Sequence, residues 1–228
     1  LADPRAGGRP TATRIHDIIA ERLPPTASPR ILDAGCGLGG TLIDLVTRTG
    51  GSGIGLTLSE QQATLARQAI VRRGLQHRVS IAIQSYDLPP AGPFDVAVAI
   101  ESLAHSPHPA VAVGALTRVL APGGVFVLVD DCPDPGAGWS EDLDEFRAGW
   151  ACPVLWSASD YRDAFRAHGL SLEIDLDLSS SVRPRTHAQI DRLLWWNRLA
   201  SRLPFPRWRD PITPAATQSP FGFPPARE

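Results

Sequence analysis

The chain contains no lysine and no methionine. Arginine therefore carries all of its positive side-chain charge, 22 residues against 24 Asp and Glu, for a formal net charge of −2. That balance gives no general electrostatic pull toward nucleic acid or anionic lipid, so neither is expected as a partner. Cysteine is scarce. Cys36, Cys132 and Cys152 are odd in number and lack C-x-x-C spacing, which argues against a disulfide framework or a zinc site. No apolar run approaches the ~20 residues that span a bilayer. Leu1 to Pro10 is polar and Gly-rich, unlike a secretory leader. A soluble, reducing, cytoplasmic setting is the expectation. No internal repeat is visible, and oligomeric state is not legible.

What is present is ordinary globular composition: 228 residues, 43% apolar and 20% charged. That length fits one α/β domain with small additions. From Ser28 to Asp131 the pattern is strand, loop, helix, repeated. Thr13 to Leu23 reads as an amphipathic helix, with Ile15, Ile18, Ile19 and Leu23 at helical spacing. Strands are expected at Arg30–Asp33, Ser52–Leu58, Val79–Gln84, Phe94–Ile100 and Val125–Asp130. Helices are expected at Leu42–Thr49, Ser59–Arg73 and Val111–Leu120, with Pro122-Gly123-Gly124 as a turn. Phe94 to Ile100 is apolar at nearly every position, as a strand buried on both faces should be.

Such alternation implies a doubly wound, mainly parallel α/β sheet, whose ligands bind at the carboxyl ends of the strands. Beyond Asp131 the texture changes, with Trp139, Trp150 and Trp156 among Pro, Gly, Asp and Ser. A helix is expected at Ser157–His168, a sixth strand at Ser171–Leu178 and a helix at His187–Leu203. The proline-rich stretch 204–228 reads as irregular. Residues 1–203 are thus expected to form one domain, with a cofactor half at about 12–131 and acceptor-side additions at about 132–203.

The strongest motif is ILDAGCGLGG, residues 31–40. A strand ends at Asp33, and Gly35, Gly37 and Gly39 follow before a helix. Glycines there strip side chains from the loop, so backbone can press against a ligand. Gly35, Gly37 and Gly40 also satisfy G-x-G-x-x-G, which alone would suggest a nicotinamide dinucleotide. Two observations oppose that reading. Asp33 suits a cationic, amino-bearing ligand better than a pyrophosphate. The second strand ends Gly55-Leu56-Thr57-Leu58-Ser59, without the carboxylate expected for a dinucleotide ribose.

Asp33-Ala34-Gly35-Cys36-Gly37-Leu38-Gly39 resembles the first motif of the class I S-adenosylmethionine-dependent methyltransferases. The resemblance runs from about residue 12 to about residue 185. The block GIGLTLSEQQATLARQ (53–68) resembles the branch that holds tocopherol C-methyltransferases and cyclopropane fatty acid synthases. It implies that S-adenosylmethionine binds against Asp33, Gly35, Cys36, Gly37 and Gly39. Thr57, Leu58 and Gln62 would line the ribose and adenine side, with Ser85 and Tyr86 at the adenine edge and Ile100 at the end of the fourth strand. Ser59 and Gln62 also read as a capping box, a role that can coexist with ligand contact. Glu101-Ser102-Leu103-Ala104-His105 resembles the family's E-x-x-x-H, which opens onto the methyl-transfer centre. His105 and Glu101 are therefore the candidate catalytic residues. His16, His77 and His108 read as solvated.

Residues 150–184 resemble the corresponding stretch of tocopherol-type enzymes. Trp150 and Trp156 either wall an acceptor pocket or pack in the core. Ser157 and Asp160 form an N-cap pair. No metal cluster is apparent; Asp130, Asp131 and Asp134 are the nearest group. The expected function is methyl transfer to a small organic acceptor, an isoprenoid or aromatic natural product, at O, C or N. The tetrapeptide of DNA amino-methylating enzymes is absent, and IESL stands in its place. Three alternatives stay open: a module that binds the cofactor without catalysis, a dinucleotide oxidoreductase, and a lipid cyclopropane synthase. Two departures from the family are a short stretch before the first helix and no convincing seventh strand. The expectation is a fragment or a differently built sheet edge.

Overall fold

The fold is built on five mutually parallel strands: β1 (Arg30–Ala34), β2 (Ser52–Thr57), β3 (Val79–Ile83), β4 (Phe94–Ile100) and β5 (Leu120–Val129). A computed structural model describes residues 14–21, 23, 28–133 and 140–179. The chain divides into one unit of Ile15–Asp175 and another of Leu1–Arg14 with Leu176–Glu228. The second unit lies almost wholly outside the described residues, as do Trp139, Asp134, the expected helix 187–203 and the tail 204–228.

The strand order is β3-β2-β1-β4-β5. The chain moves outward from β1 through β2 to β3, then crosses back to β4 on β1's other side. The order therefore reverses between β1 and β4, and a crevice opens outside their carboxyl ends. The doubly wound expectation holds.

Six helices are described: α1 (Arg14–Ala20), α2 (Gly40–Thr49), α3 (Glu60–Arg72), α4 (Pro109–Arg118), α5 (Glu141–Trp150) and α6 (Ala158–Ala167). Strand parity assigns α2 to one face and α4 and α6 to the other. Leu32, Ala34 and Leu56 join Ala112, Val113 and Leu116 of α4 and Tyr161 of α6 in one buried cluster. Gly53, of opposite parity, faces Leu42 of α2. A Cβ on Gly53 would fall 2.5 Å from Leu42 Cδ1, and one on Gly55 would fall 2.7 Å from Cys36 Sγ. The missing side chains in Gly53-Ile54-Gly55 let α2 and the loop before it sit close on the sheet. None of the described helices is long and apolar enough to cross a membrane.

Several expectations need correction. Ser171–Leu178 carries a strand's alternation, yet no described strand pairs with it. Leu172, Ile174 and Leu176 remain exposed, and an Arg162–Asp175 ion pair at 2.6 Å ties the segment to α6. Alternation specifies which side chains share a face; it does not supply a neighbour. β5 begins at Leu120 rather than Val125. Pro122-Gly123-Gly124 falls inside its span, where the pairing register shifts between Phe94↔Leu120 and Val96↔Val125. The glycines form an irregularity in the strand rather than a turn before it. The helix expected at Val111–Leu120 starts at Pro109, with proline in its first turn, and ends at Arg118. α5 was not anticipated, because its apolar residues are few. Ser140 caps it by accepting the Leu143 amide.

His16 is not solvated: its Nε2 lies 3.1 Å from Thr41 Oγ1 and its Nδ1 3.1 Å from Asp44 Oδ2, clamping α1 to α2.

Candidate functional site

β1 runs directly into the glycine loop. Gly35, Gly37 and Gly39 all have positive φ, at 85°, 52° and 77°. Gly35 is hemmed in: a Cβ there would lie 2.5 Å from Ser102 Cβ, which belongs to the loop after β4. Ser102 is buried and donates its hydroxyl to the Ala34 carbonyl at 2.7 Å. The two loops flanking the switch point are thus locked together. Gly37 is the opposite case, since a Cβ there would meet nothing within 4 Å. Its backbone faces open space.

Asp33 is only 2% exposed. α2 begins after Gly39, which offers no side-chain cap. The Asp33 carboxylate supplies one from β1 by accepting the Leu42 amide. Its Oδ2 is buried without a hydrogen-bond partner. Burial with a single donor pushes the carboxyl up from its ordinary 3.8 to about 7. Cys36 packs against Gly55, and burial, with the neighbouring Asp33 adding to it, pushes its thiol up to about 12.

At the end of β2, buried Thr57 donates to Gln62 Oε1 at 2.7 Å and accepts the Ser59 amide at 3.2 Å. Ser59 accepts the Gln62 amide at 3.2 Å. The capping box is therefore only half formed, because the Gln62 side chain turns to Thr57 instead of back to Ser59. A neutral Thr–Gln pair stands where a dinucleotide site would carry a carboxylate. Leu58 is 55% exposed beside it.

After β3, Ser85 donates to Asp87 Oδ2 at 3.1 Å. Tyr86 donates its phenol to the Ser102 carbonyl at 3.1 Å, and burial pushes that phenol up to about 12. Their polar groups are thus engaged within the protein. Asp87, which no expected role marks in the sequence, has a buried and unpartnered Oδ1. The acid directly after Tyr86 was the available signal.

β4 ends at half-buried Ile100 and enters a 3-10 turn, Leu103–His105. Glu101, exposed, has φ of 49°, a left-handed conformation costly for a non-glycine residue. His105 is exposed at the end of the turn, with Nδ1 3.5 Å from the Ala151 carbonyl after α5. Asp130, just past β5, holds this turn. Its Oδ2 accepts the Ala104 amide at 2.8 Å, with the Tyr161 hydroxyl at 3.5 Å. Burial raises the Asp130 carboxyl, while its amide donors and His105 oppose the rise. In the sequence Asp130 stands out only as a neighbour of Asp131 and Asp134. Among the described residues no three His, Cys, Asp or Glu side chains cluster as metal ligands.

The tryptophans separate. Trp156 is half-buried and meets Tyr161 edge to face at 5.2 Å, in the core. Trp150 is 59% exposed and lies 6.2 Å from the Phe146 ring.

The crevice, its glycine loop and the neutral end of β2 define a Rossmann-like cofactor-binding fold. Comparison with known proteins specifies it further. A profile described as a methyltransferase domain matches residues 9–173. The chain is 33% identical over 184 residues to tocopherol O-methyltransferase, chloroplastic, of Arabidopsis thaliana, covering 76% of this chain and 53% of that protein. It is 34% identical over 177 residues to 27-O-demethylrifamycin SV methyltransferase of Amycolatopsis mediterranei, covering 75% and 65%. Among solved structures it is similar to the [4+2]-cyclase SpnF, with TM-score 0.62, 28% identity and coverage of 73% and 60%. The chain belongs to the class I S-adenosylmethionine-dependent methyltransferases. It spans between about half and two thirds of the two curated relatives named above.

Proposed function

We propose that this chain binds S-adenosylmethionine at the carboxyl ends of β1 and β2 and transfers its methyl group to a small organic acceptor beside the ends of β4 and β5. The observation that carries this reading is the glycine loop at the switch point. There, open backbone at Gly37 adjoins a buried carboxyl with an unsatisfied oxygen at Asp33. Those features fit a ligand that joins an amino group to a ribose and an aromatic base. Asp33, Gly35, Gly37 and Gly39 would hold its amino-acid portion. Thr57 and Gln62 would hold the ribose and exposed Leu58 the base. Ser85, Tyr86 and Asp87 would close the far side.

The bound sulfonium supplies a methyl group already activated for displacement. The protein's part is to align the acceptor behind that methyl and to exclude water, an orientation effect worth several kcal/mol. His105 is the base we assign for an oxygen or phenolic-carbon acceptor. The Ala151 carbonyl can only accept, so it favours a proton on Nδ1 and leaves Nε2 free to take one from the acceptor. Asp130 supports the turn that carries His105. Glu101 lies two residues before that turn and is exposed. The named relatives act on a tocopherol and a rifamycin, which favours a natural-product acceptor with an apolar body.

Thr57→Val removes both hydrogen bonds at the end of β2. It is expected to weaken S-adenosylhomocysteine binding by about tenfold while thermal stability shifts by only a few degrees. Unchanged affinity would take Thr57 out of the site. His105→Ala is expected to keep S-adenosylhomocysteine affinity within about twofold and to slow methyl transfer by about 100-fold or more. Affinities are read by calorimetric titration with S-adenosylhomocysteine, and transfer with methyl-labelled S-adenosylmethionine across phenolic and isoprenoid acceptors. Transfer at the wild-type rate would remove the base. Cofactor binding without transfer to any acceptor would favour a second reading, in which the bound cofactor is not spent. The similarity to a [4+2]-cyclase makes that reading specific.

A further inference from the structure

The site above occupies one end of the sheet. At the other end, where β1, β2 and β3 begin, the surface dips into a shallow, solvent-open cavity of about 190 Å³. Arg30, Ser52, Gln76, His77, Arg78 and Ser80 line it, and no Asp or Glu among the described residues does. We propose that this cavity is a second ligand site, selective for a phosphoryl group.

Strand register builds the site. Arg30 pairs with Ser52 across β1 and β2, and Ile54 pairs with Ser80 across β2 and β3. Side chains two residues apart share a face, so Arg30, Ser52 and Ser80 project from the same side of the sheet, and Arg78, in the turn just before β3, lines the cavity with them. β3 reaches β4 through an irregular connection, 84–93, rather than a helix. No crossover helix from that connection covers this side.

The charge distribution is lopsided. Gln61 to Tyr86 contains Arg67, Arg72, Arg73, His77 and Arg78 and not one acidic residue, in a chain of net charge −2. Some of these cations have an internal reason to be there. Arg67 donates to the Ile81 carbonyl at 2.8 Å. Arg72 and Arg73 close α3, where the helix dipole favours positive charge. Arg78 has neither reason. Its Nη1 lies 3.5 Å from the Gly51 carbonyl, at the limit of a hydrogen bond, and it forms no ion pair among the described residues.

Arg30 is fixed in place. Its guanidinium stacks 4.4 Å from the Phe94 ring centroid and donates to the Pro93 carbonyl at 3.0 Å. Asp95 accepts the Arg30 backbone amide at 2.8 Å but does not line the cavity. One guanidinium stacked on Phe94, one held only by the long contact to the Gly51 carbonyl, and two hydroxyls form a set of donors with no carboxylate among them. Guanidinium matches phosphate oxygens in charge and in fork geometry.

The test titrates inorganic pyrophosphate, and separately ribose 5-phosphate, into the wild type and Arg78→Ser at low ionic strength. Calorimetry gives affinity and amide shifts give location. Arg78 is exposed, so its replacement should not disturb folding. The expected result is pyrophosphate binding that weakens by about tenfold or more in Arg78→Ser, with amide shifts at residues 52–54 and 76–80. Tighter binding of ribose 5-phosphate would assign the site to an organic phosphate; tighter pyrophosphate would assign it to a free phosphoryl anion. Equal affinity in the two proteins would overturn the proposal. So would shifts centred on the glycine loop 35–40, or no binding up to about 10 mM. S-adenosylhomocysteine affinity should be the same in both proteins, so failure here and failure of the methyltransferase reading are separate results.

Discussion

Replacing Gly35 with alanine is expected to abolish S-adenosylhomocysteine binding and to lower stability by about 3 kcal/mol or more. Two costs act together. At φ of 85° a side chain is strained whatever the space around it. The added Cβ would also lie 2.5 Å from Ser102 Cβ, far inside contact distance. Ser102 cannot withdraw cheaply, because it is buried and its hydroxyl holds the Ala34 carbonyl at 2.7 Å. The clash would therefore part the loops after β1 and β4, and the switch point with them. Gly37→Ala is the matched control. Its Cβ meets nothing and its φ of 52° lies in the ordinary left-handed region, so its stability cost should be about 1 kcal/mol. Chemical denaturation of the two variants checks the difference. Equal costs would show that the packing of Gly35 on Ser102 is not tight.

Asp33→Asn is expected to flatten the pH dependence of stability. The folded protein keeps the Asp33 proton up to about pH 7, whereas the unfolded chain releases it near 3.8. Between those values the folded state binds more protons, so stability must fall as pH rises through the interval. The interval corresponds to at most about 4 kcal/mol, fully lost above pH 7. Asparagine carries no proton to lose, yet its oxygen can still accept the Leu42 amide. The wild type should thus lose stability relative to the variant from pH 4 to pH 8. Asp130, raised in the same direction, contributes equally to both proteins and cancels in the difference. Parallel profiles would mean that Asp33 ionises in the folded protein as it does in the unfolded one.

The parts of the fold legible in the sequence are those set by local chemistry. Phe94–Ile100 is apolar throughout and is a central strand with the expected bounds. Ser59 and Ser157 cap the helices they precede, and Ser157 with Asp160 forms a full capping box. The glycine loop was visible because positive φ demands glycine. What could not be read depends on neighbours. The Ser171–Leu178 alternation is correct as a pattern but finds no described strand beside it. Gln62 has the right spacing for a reciprocal cap, yet Thr57, buried at the end of β2, claims its side chain. Asp33 drew attention as a ligand group. Its role as the surrogate cap of α2 needed the position of the Leu42 amide. Asp87 and Asp130 were missed as site residues because their significance lies in burial and in the amides they face.

The central claim is that the switch-point loop holds S-adenosylmethionine rather than a dinucleotide. Calorimetric titration with S-adenosylhomocysteine, with NADH in parallel, tests it most directly. The account predicts S-adenosylhomocysteine binding at a micromolar dissociation constant, about 8 kcal/mol, lost in Gly35→Ala and retained in His105→Ala, with no heat from NADH. NADH binding without S-adenosylhomocysteine binding would contradict it.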